Sequence, residues 1–441
     1  MIMKQYTSLL RKTLFAILVL SLFYGCVGKS SKLIVENEKQ YKYASMKDGI
    51  LHLDIDKSRH DSLMIDLSMI CDTLIYIPLE TNKKCLLGNH LNEFFVDGDD
   101  IFIHMDLAAY RFKMNGNFVC QFGKLGRGPG EYSCTGLAIN TDDKRVYSKA
   151  NYRHRIYEFD YSGKFLSSKV KTSDWQNDMF YSPFDKTLLY SYSYSLSTDK
   201  DLKTDYNILT AYDLKGKEKY ILKSKYFPEK FFVEGTGARI HVTGSTKYIY
   251  DNSLYFQEFA SDTIFKKDKD TIVPYIVLNN YDFRKHLKSS MFHTKAKANS
   301  RMMWSYDRHP RFPSKVRGES SRYIFIDYYS EPSYVYDKKE RTLSCVNYYK
   351  EEVEGDKPGE KKTLQYVYRN DMDGVNHIES SWIVNNKYLL SKIPALDFLD
   401  NLDKLKASKN VSQKYLSILE KIAEGLTEES NPVMMLARLK K

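Results

Sequence analysis

From residue 67 onward the chain is built of short segments that alternate apolar and polar positions, separated by turn residues. Ile101-Phe102-Ile103-His104-Met105 follows Asp97-Gly98-Asp99-Asp100, and then come Tyr110 to Met114, the turn Asn115-Gly116, and Phe118 to Phe122. Asn-Gly between apolar runs predicts a hairpin, because both residues tolerate the left-handed backbone of a tight turn. The same order recurs at Arg145 to Leu166 around Ser162-Gly163-Lys164, and at Leu209 to Asp213 before Lys215-Gly216-Lys217. Further copies are Lys247 to Phe265, Tyr323 to Glu340, and a last unit starting near Trp382 with the strand Lys387-Tyr388-Leu389-Leu390. Gly116, Gly163 and Gly216 lie 47 and 53 residues apart. A period of that size with about four strands per unit is the signature of propeller blades. The reading is an all-β chain, a six-bladed β-propeller of four-stranded blades over residues 49–441. Two smaller β-sandwiches are the alternative, but no linker separates them.

One region departs from strand periodicity. Val411, Tyr415, Leu419, Ile422 and Leu426 recur at three- and four-residue spacing, which predicts one C-terminal helix with an apolar stripe. Asn410 and Gln413 are placed like a capping box, Gly425 suits the helix end, and Asn431-Pro432 stops it. Val433 to Leu439 then reads as the closing strand, paired with a strand from the N-terminal part, Leu74 to Pro78. Without such closure two blade edges would stay free.

Composition supports this picture: 36 Tyr and 23 Phe against 11 Pro favour strands. The N-terminus is of another kind. Lys4, Arg11 and Lys12 precede the apolar stretch Thr13 to Tyr24, and Gly25-Cys26 follows at once. That order reads as a signal peptide over residues 1–25, too short for a comfortable membrane span. A small residue before Cys resembles the lipobox of bacterial lipoproteins, which implies that Cys26 becomes the lipidated N-terminus. An ordinary cleaved signal or a single-pass anchor are the alternatives. Residues 26–48 then form a lipidated N-terminus and polar tether. Removing residues 1–25 lowers the net charge from +11 to +8, since three cations and no anions leave.

The remaining excess is local. Between Arg284 and Arg317 stand ten Lys or Arg and a single acid, Asp307. Such a patch suits an acidic glycan or anionic surface through Arg301, Arg308, Arg311 and Arg317. Nucleic acid is set aside as a partner for an exported chain. The plainer alternative is a solvated insertion. Cys71, Cys85, Cys120, Cys134 and Cys345 are odd in number, so they form no complete disulfide set and read as free thiols in strands.

Four stretches carry a family resemblance. They are Tyr76-Ile77-Pro78-Leu79-Glu80-Thr81, the glycine-rich Phe122 to Tyr132 (FGKLGRGPGEY), Asn370-Asp371-Met372-Asp373-Gly374, and Asn431-Pro432-Val433. Together they resemble the six-bladed β-propeller lipoproteins abundant as paralogues in gut anaerobes, distantly similar to NHL-repeat propellers. The resemblance implies the fold and the exported, membrane-anchored location. It implies no particular activity.

The glycine-rich stretch lacks the Gly-Lys-Ser/Thr of a phosphate loop, and its glycine spacing fails the dinucleotide pattern. It reads as a crossover between blades that needs left-handed backbone, with Arg127 and Glu131 facing a ligand near the channel mouth or pairing with neighbouring blades. The ten His show no metal-ligand spacing, and no nucleophile elbow is present. Asp371 and Asp373 lack the later ligands of a calcium loop and read as solvated carboxylates in a turn. Trp175, Trp304 and Trp382 read as core residues, with sugar stacking as the alternative. No cofactor or metal is expected. Two function classes follow: a non-catalytic binding or scaffold protein for a glycan, peptide or partner protein at the channel face, and, as the alternative, a hydrolase or lyase on polysaccharide or peptide at the channel mouth.

Overall fold

The computed structural model describes residues 41–124, 126, 131–150, 155–171, 176–192, 194–196, 207–223, 240–242, 246–257, 261–268, 271–278, 313–328, 332–354, 361–408 and 413–441. Six sheets stand in a ring as a six-bladed β-propeller, and each blade is a four-stranded antiparallel meander. Blade 1 comprises Leu91–Asp97, Asp100–Met105, Ala108–Lys113 and Phe118–Phe122. Blade 2 begins at Cys134–Asn140, blade 3 at Gln176–Ser182, blade 4 at Thr246–Tyr250, blade 5 at Pro313–Glu319 and blade 6 at Ile383–Val384. The first strand of each blade lies innermost, nearest the axis.

Blade 6 closes the ring. Its third strand is Val433–Leu439 and its outermost strand is Cys71–Pro78, with Leu74 opposite Ala437 and Pro78 opposite Val433. Val433–Leu439 is apolar nearly throughout because both of its faces are buried. Val433, Met435, Ala437 and Leu439 pack toward blade 5, whereas Met434 and Leu436 pack toward blade 1. Among the described residues the same logic divides the core into six seams between successive blades. Each fully buried large side chain in such a seam contributes about 1.5–3 kcal/mol of burial.

The two ends of the propeller differ. Turns from first to second and from third to fourth strands are short and gather at one end. There Asp160 Oδ1 accepts from the backbone N–H of Ser162 and Lys164, and Asp213 Oδ1 accepts from those of Lys215 and Lys217. These repeated aspartate turns explain why the periodicity was readable. Gly116 adds a second requirement: its φ is +90°, and a Cβ there would lie 1.8 Å from the Pro78 carbonyl oxygen. The described strands lead into the inter-blade crossovers and the second-to-third connections from the other end, the crossover end.

Two helices sit in the second-to-third connection of blade 6, where the sequence predicts one. α1 (Ala395–Ser408) begins behind Pro394, whose carbonyl accepts from Phe398 N at 3.0 Å. It seats Phe398 and Leu402 in the seam between blades 5 and 6. α2 (Gln413–Ala423) buries Leu419 and half-buries Ile422 in the same seam, while Leu426 lies beyond its end. Val411 and Asn410 lie outside the described residues.

A strap precedes the ring. Ala44–Lys47 and Ile50–Leu53 form a hairpin that adds to the outer edge of blade 4, with Ile50–Leu53 parallel to Thr271–Leu278. Ala44–Lys47 therefore is strand, although it falls within the span read as tether. Leu63 bridges Val346 of blade 5, and Ile65–Asp66 pairs in parallel with Tyr368–Arg369. Asp66 holds Arg369 through two hydrogen bonds of 2.8 and 2.7 Å. The outer strands of blades 1, 2 and 3 carry no added strand among the described residues.

Candidate functional site

The channel is bridged at the tight-turn end. The turn of blade 6 places Asn385 and Asn386 at φ 52° and 55°, a backbone that Asn adopts more readily than other non-glycine residues. Asn385 exchanges hydrogen bonds with the backbone of Val96 in blade 1. Asn386 Nδ2 reaches past blade 5 and donates to the Ile249 carbonyl of blade 4 at 2.9 Å. One turn thus ties blades 1, 6 and 4 across that end of the ring.

At the crossover end the inner strands carry polar groups. Glu93 Oε2 accepts from His104 Nδ1 at 2.8 Å and from the Leu137 amide at 2.7 Å. His104 Nε2 lies 3.2 Å from the Cys134 carbonyl oxygen, so both ring nitrogens face acceptors. Burial alone would lower the His104 pKa; hydrogen bonding to Cys134 and Glu93 overrides it and holds the imidazole protonated. The set resembles a thiol–imidazole–carboxylate relay, but Cys134 and His104 are only 1% and 3% exposed. No substrate reaches the thiol there, and the group acts as a pin between blades 1 and 2. Beside it, Ser133 Oγ and Thr135 Oγ1 are buried with no hydrogen-bond partner among the described residues. Gln257 Oε1, at the crossover end of blade 4, is in the same position.

The residues singled out by sequence are not brought together. Cys26, Arg127, Arg301, Arg308 and Arg311 lie outside the described residues, as do Trp175 and Trp304. Glu131 pairs with Lys124 in a parallel bridge, and its carboxylate lies across Gly126, where a Cβ would meet Oε2 at 2.2 Å. Gly123 has the left-handed backbone expected of the crossover, φ +72°. Arg317 donates from Nε to Asp327 Oδ2 at 2.6 Å, across the first two strands of blade 5. Trp382 is half-buried in the seam between blades 6 and 1.

The Asn370–Gly374 turn corrects the expectation of solvated carboxylates at Asp373, while Asp371 is exposed as expected. Asp373 is buried, accepts from Tyr76 OH and Asn370 Nδ2 at 2.6 Å each, and burial raises its pKa. Asp371 accepts from the Ser68 amide and hydroxyl, which latches the strap. Both carboxylates serve the fold. Among the described residues no three His, Cys, Asp or Glu side chains form a group able to hold a metal. Cys71, Cys85, Cys120, Cys134 and Cys345 are thiols, and burial raises the Cys120 pKa to about 11.

Sequence reading missed three things: the Asn385–Asn386 bridge, the Glu93–His104 pin, and a second buried pin at the tight-turn end. There Glu319, fully buried, accepts from Tyr275 OH at 2.8 Å, Tyr248 OH at 3.1 Å and Lys338 Nζ at 2.5 Å. Only the adjacent asparagines gave any signal, as a left-handed turn.

With the six blades and both ends defined, comparison with known proteins places the chain. A family model described as domain of unknown function DUF4934 matches residues 51–438. The chain belongs to the DUF4934 family. No curated protein matches it. Among solved structures, a Bacteroides fragilis protein described as exported is similar to this DUF4934 chain at 17% identity and a TM-score of 0.56, covering 85% of this chain and 96% of that one. A DUF4221 family member from Bacteroides vulgatus is similar at 10% identity and a TM-score of 0.43, covering 84% and 98%. The first likeness carries the fold. Among the described residues no helix of this DUF4934 protein is long and apolar enough to cross a membrane.

Proposed function

We propose that this protein is an exported, lipid-anchored propeller that binds a glycan, peptide or partner protein at the open mouth of its channel, without converting it. The observation that carries the reading is the bridge across the tight-turn end, which leaves the crossover end as the face for a ligand. Asn385 and Asn386 bridge the tight-turn end, and the described strands lead into the long connections from the other. Export and anchoring rest on the basic start, the apolar stretch and Gly25-Cys26, together with the likeness to a protein described as exported.

The test starts with a thermal-shift screen of oligosaccharides and peptides, followed by product analysis by mass spectrometry. Any ligand found is then tested against two single-site variants coupled to a polymer maleimide, both on a Cys120→Ser background. Leu107→Cys lies at the crossover end and Lys215→Cys at the tight-turn end, and both parent residues are exposed. Coupling at 107 should block binding and coupling at 215 should leave it intact. Blocking only at 215, or cleavage of the ligand, would overturn the reading.

A further inference from the structure

We infer that His377 makes the Asn370–Gly374 turn an acid-operated latch: the imidazole holds the turn shut through a bare ring nitrogen, and a proton taken up there releases the turn and the strap fastened to it. The inference concerns regulation and stands apart from the ligand-binding reading. Backbone bonds close the base of the loop that carries the turn. Tyr368 and Ile378 form an antiparallel bridge, and Ile378 N donates to Tyr368 O at 3.0 Å. Continued pairing would set the Asn370 amide against the backbone of Asn376. The amide instead donates to His377 Nδ1 at 3.0 Å. A ring nitrogen that accepts carries no proton, so the proton of the neutral ring sits on Nε2. Asn370 is only 2% exposed, so its amide has no water to turn to while the loop stays shut. A proton on Nδ1 would aim one N–H at another, and the amide has to leave.

The turn is built on Asn370. Its Oδ1 accepts from Met372 N at 3.1 Å and Asp373 N at 3.3 Å, and its Nδ2 donates to Asp373 Oδ1 at 2.6 Å. Asp373 in turn holds Tyr76 on the outer strand of blade 6, Asp371 holds the Ser68 amide at 2.8 Å, and Arg369 next door holds Asp66. The end of the strap and Tyr76 are thus fastened to a loop whose entry is kept by one unprotonated ring. Burial has the largest influence on that ring and lowers its pKa; Glu351 raises it and Arg369 lowers it, and the net lies below the ordinary 6.5. Glu351 belongs to the hairpin of Tyr349–Glu354 and Lys361–Tyr366. Tyr366 of the same hairpin packs edge-on to the ring at 4.7 Å and donates from OH to Glu351 Oε2 at 3.3 Å. Glu379 and Asp397, from the start of α1, act on the same phenol. Exposed Glu351 offers the imidazolium a partner once the ring swings away from Asn370. With the pKa lowered in the shut state, the opened latch binds more protons. The latch is therefore fully stable above the ordinary histidine value and weakens as pH falls below it, down to the lowered pKa.

The experiment follows amide hydrogen exchange in the full-length protein as pH is lowered, with each rate corrected for the chemistry of a free amide at that pH. The Asn370 and Ser68 amides read the latch, and the amides of Val146 and Tyr157 in blade 2 serve as reference. Opening returns the imidazole to its ordinary pKa, so the opening constant should rise about three- to ten-fold between about pH 7.5 and about pH 5.5, with the reference unchanged. His377→Asn offers an amide oxygen near the place of Nδ1 and removes the titration, so its latch should stay shut across that range. Latch exchange that does not respond to pH in the parent would overturn the inference. So would an equal rise in the His377→Asn variant, which would move the titration to Asp66 or Asp371. If the variant does not fold, the ring-proton resonance of His377 in the parent decides alone. It should titrate below 6.5 in step with latch opening, and a ring that titrates while the latch stays protected would overturn the idea.

Discussion

Asn431 offers a direct measure of how the ring is closed. Its side chain is almost fully buried at the start of the closing strand. The Nδ2 group donates to Glu80 O and Cys85 O at 2.6 Å each, and Oδ1 accepts from Leu87 N at 2.9 Å. Three buried hydrogen bonds thus tie the last strand to the loop that leads from blade 6 into blade 1. Asn431→Ala removes all three and strands two carbonyls and one amide. At about 1 kcal/mol net per bond the loss is about 3 kcal/mol, and more if water does not reach the stranded groups. The folded unit runs from Tyr43 to Lys441. At about 2.1 cal/mol/K per residue over roughly 400 residues, this lowers the melting temperature by about 4 °C. Guanidinium titration should show a lower midpoint with an unchanged slope, and amide exchange at Leu87 should accelerate. Asn431→Asp sharpens the test. It aims a carboxylate at two carbonyl oxygens, so at pH 7 it should cost more than the alanine variant and recover as the pH falls and the carboxyl takes a proton. A change below 1 kcal/mol in the alanine variant, with Leu87 exchange unaltered, would refute this account of closure.

Three further outcomes are expected. Hydrogen bonding from Arg369 lowers the pKa of Asp66 in the folded state, so the latch stabilises above the ordinary carboxylate pKa and is lost as pH falls through the lowered one. Asp66→Asn should cost about 0.5–1 kcal/mol at pH 7 by denaturant titration, and the difference from the parent should vanish near pH 2. The His104 pKa is raised in the folded state, so its contribution is complete below about 6.5 and disappears as pH rises through the raised value. His104→Gln should therefore cost about 2 kcal/mol at pH 6 and less in alkali; a constant difference across that range would exclude a protonated imidazole. Replacing Arg301, Arg308 and Arg311 together by Gln should weaken binding to sulfated but not neutral polysaccharide, and lower its salt dependence, because exposed charges act over only about 8 Å at physiological ionic strength.

The blades were legible because their turns are chemically explicit. Asp160-Tyr161-Ser162-Gly163-Lys164 and Asp213-Leu214-Lys215-Gly216-Lys217 build the same turn from the same side chains. The closing strand was legible because seven nearly all-apolar residues follow a proline. α1 was not, since Leu396, Phe398, Leu402 and Leu405 are diluted by Asp397, Asp400, Asp403 and Lys404, and the preceding strand masks the helix start. The candidate site was hardly legible. Glu131 turns onto its own loop and Arg317 onto Asp327, since a local partner satisfies a charge as well as a ligand does. The channel floor depends on Asn386 meeting Ile249, 137 residues away, and no local pattern encodes such a meeting.

The seam between the termini also sets a clock. Cys71–Pro78 has its partner only in Val433–Leu439 and no earlier strand takes that place. A ribosome adding about 5–20 residues per second needs about 20–70 s to travel from Pro78 to Val433. Throughout that time Cys71–Pro78 waits for its partner, while the strap meets Thr271–Leu278 earlier and blades 1 to 3 already have all their strands. Maturation is therefore bound to finish late and all at once, when the last seven residues arrive. A chain that cannot complete its ring while its tail is still being made keeps its first and last strands apart for that whole period.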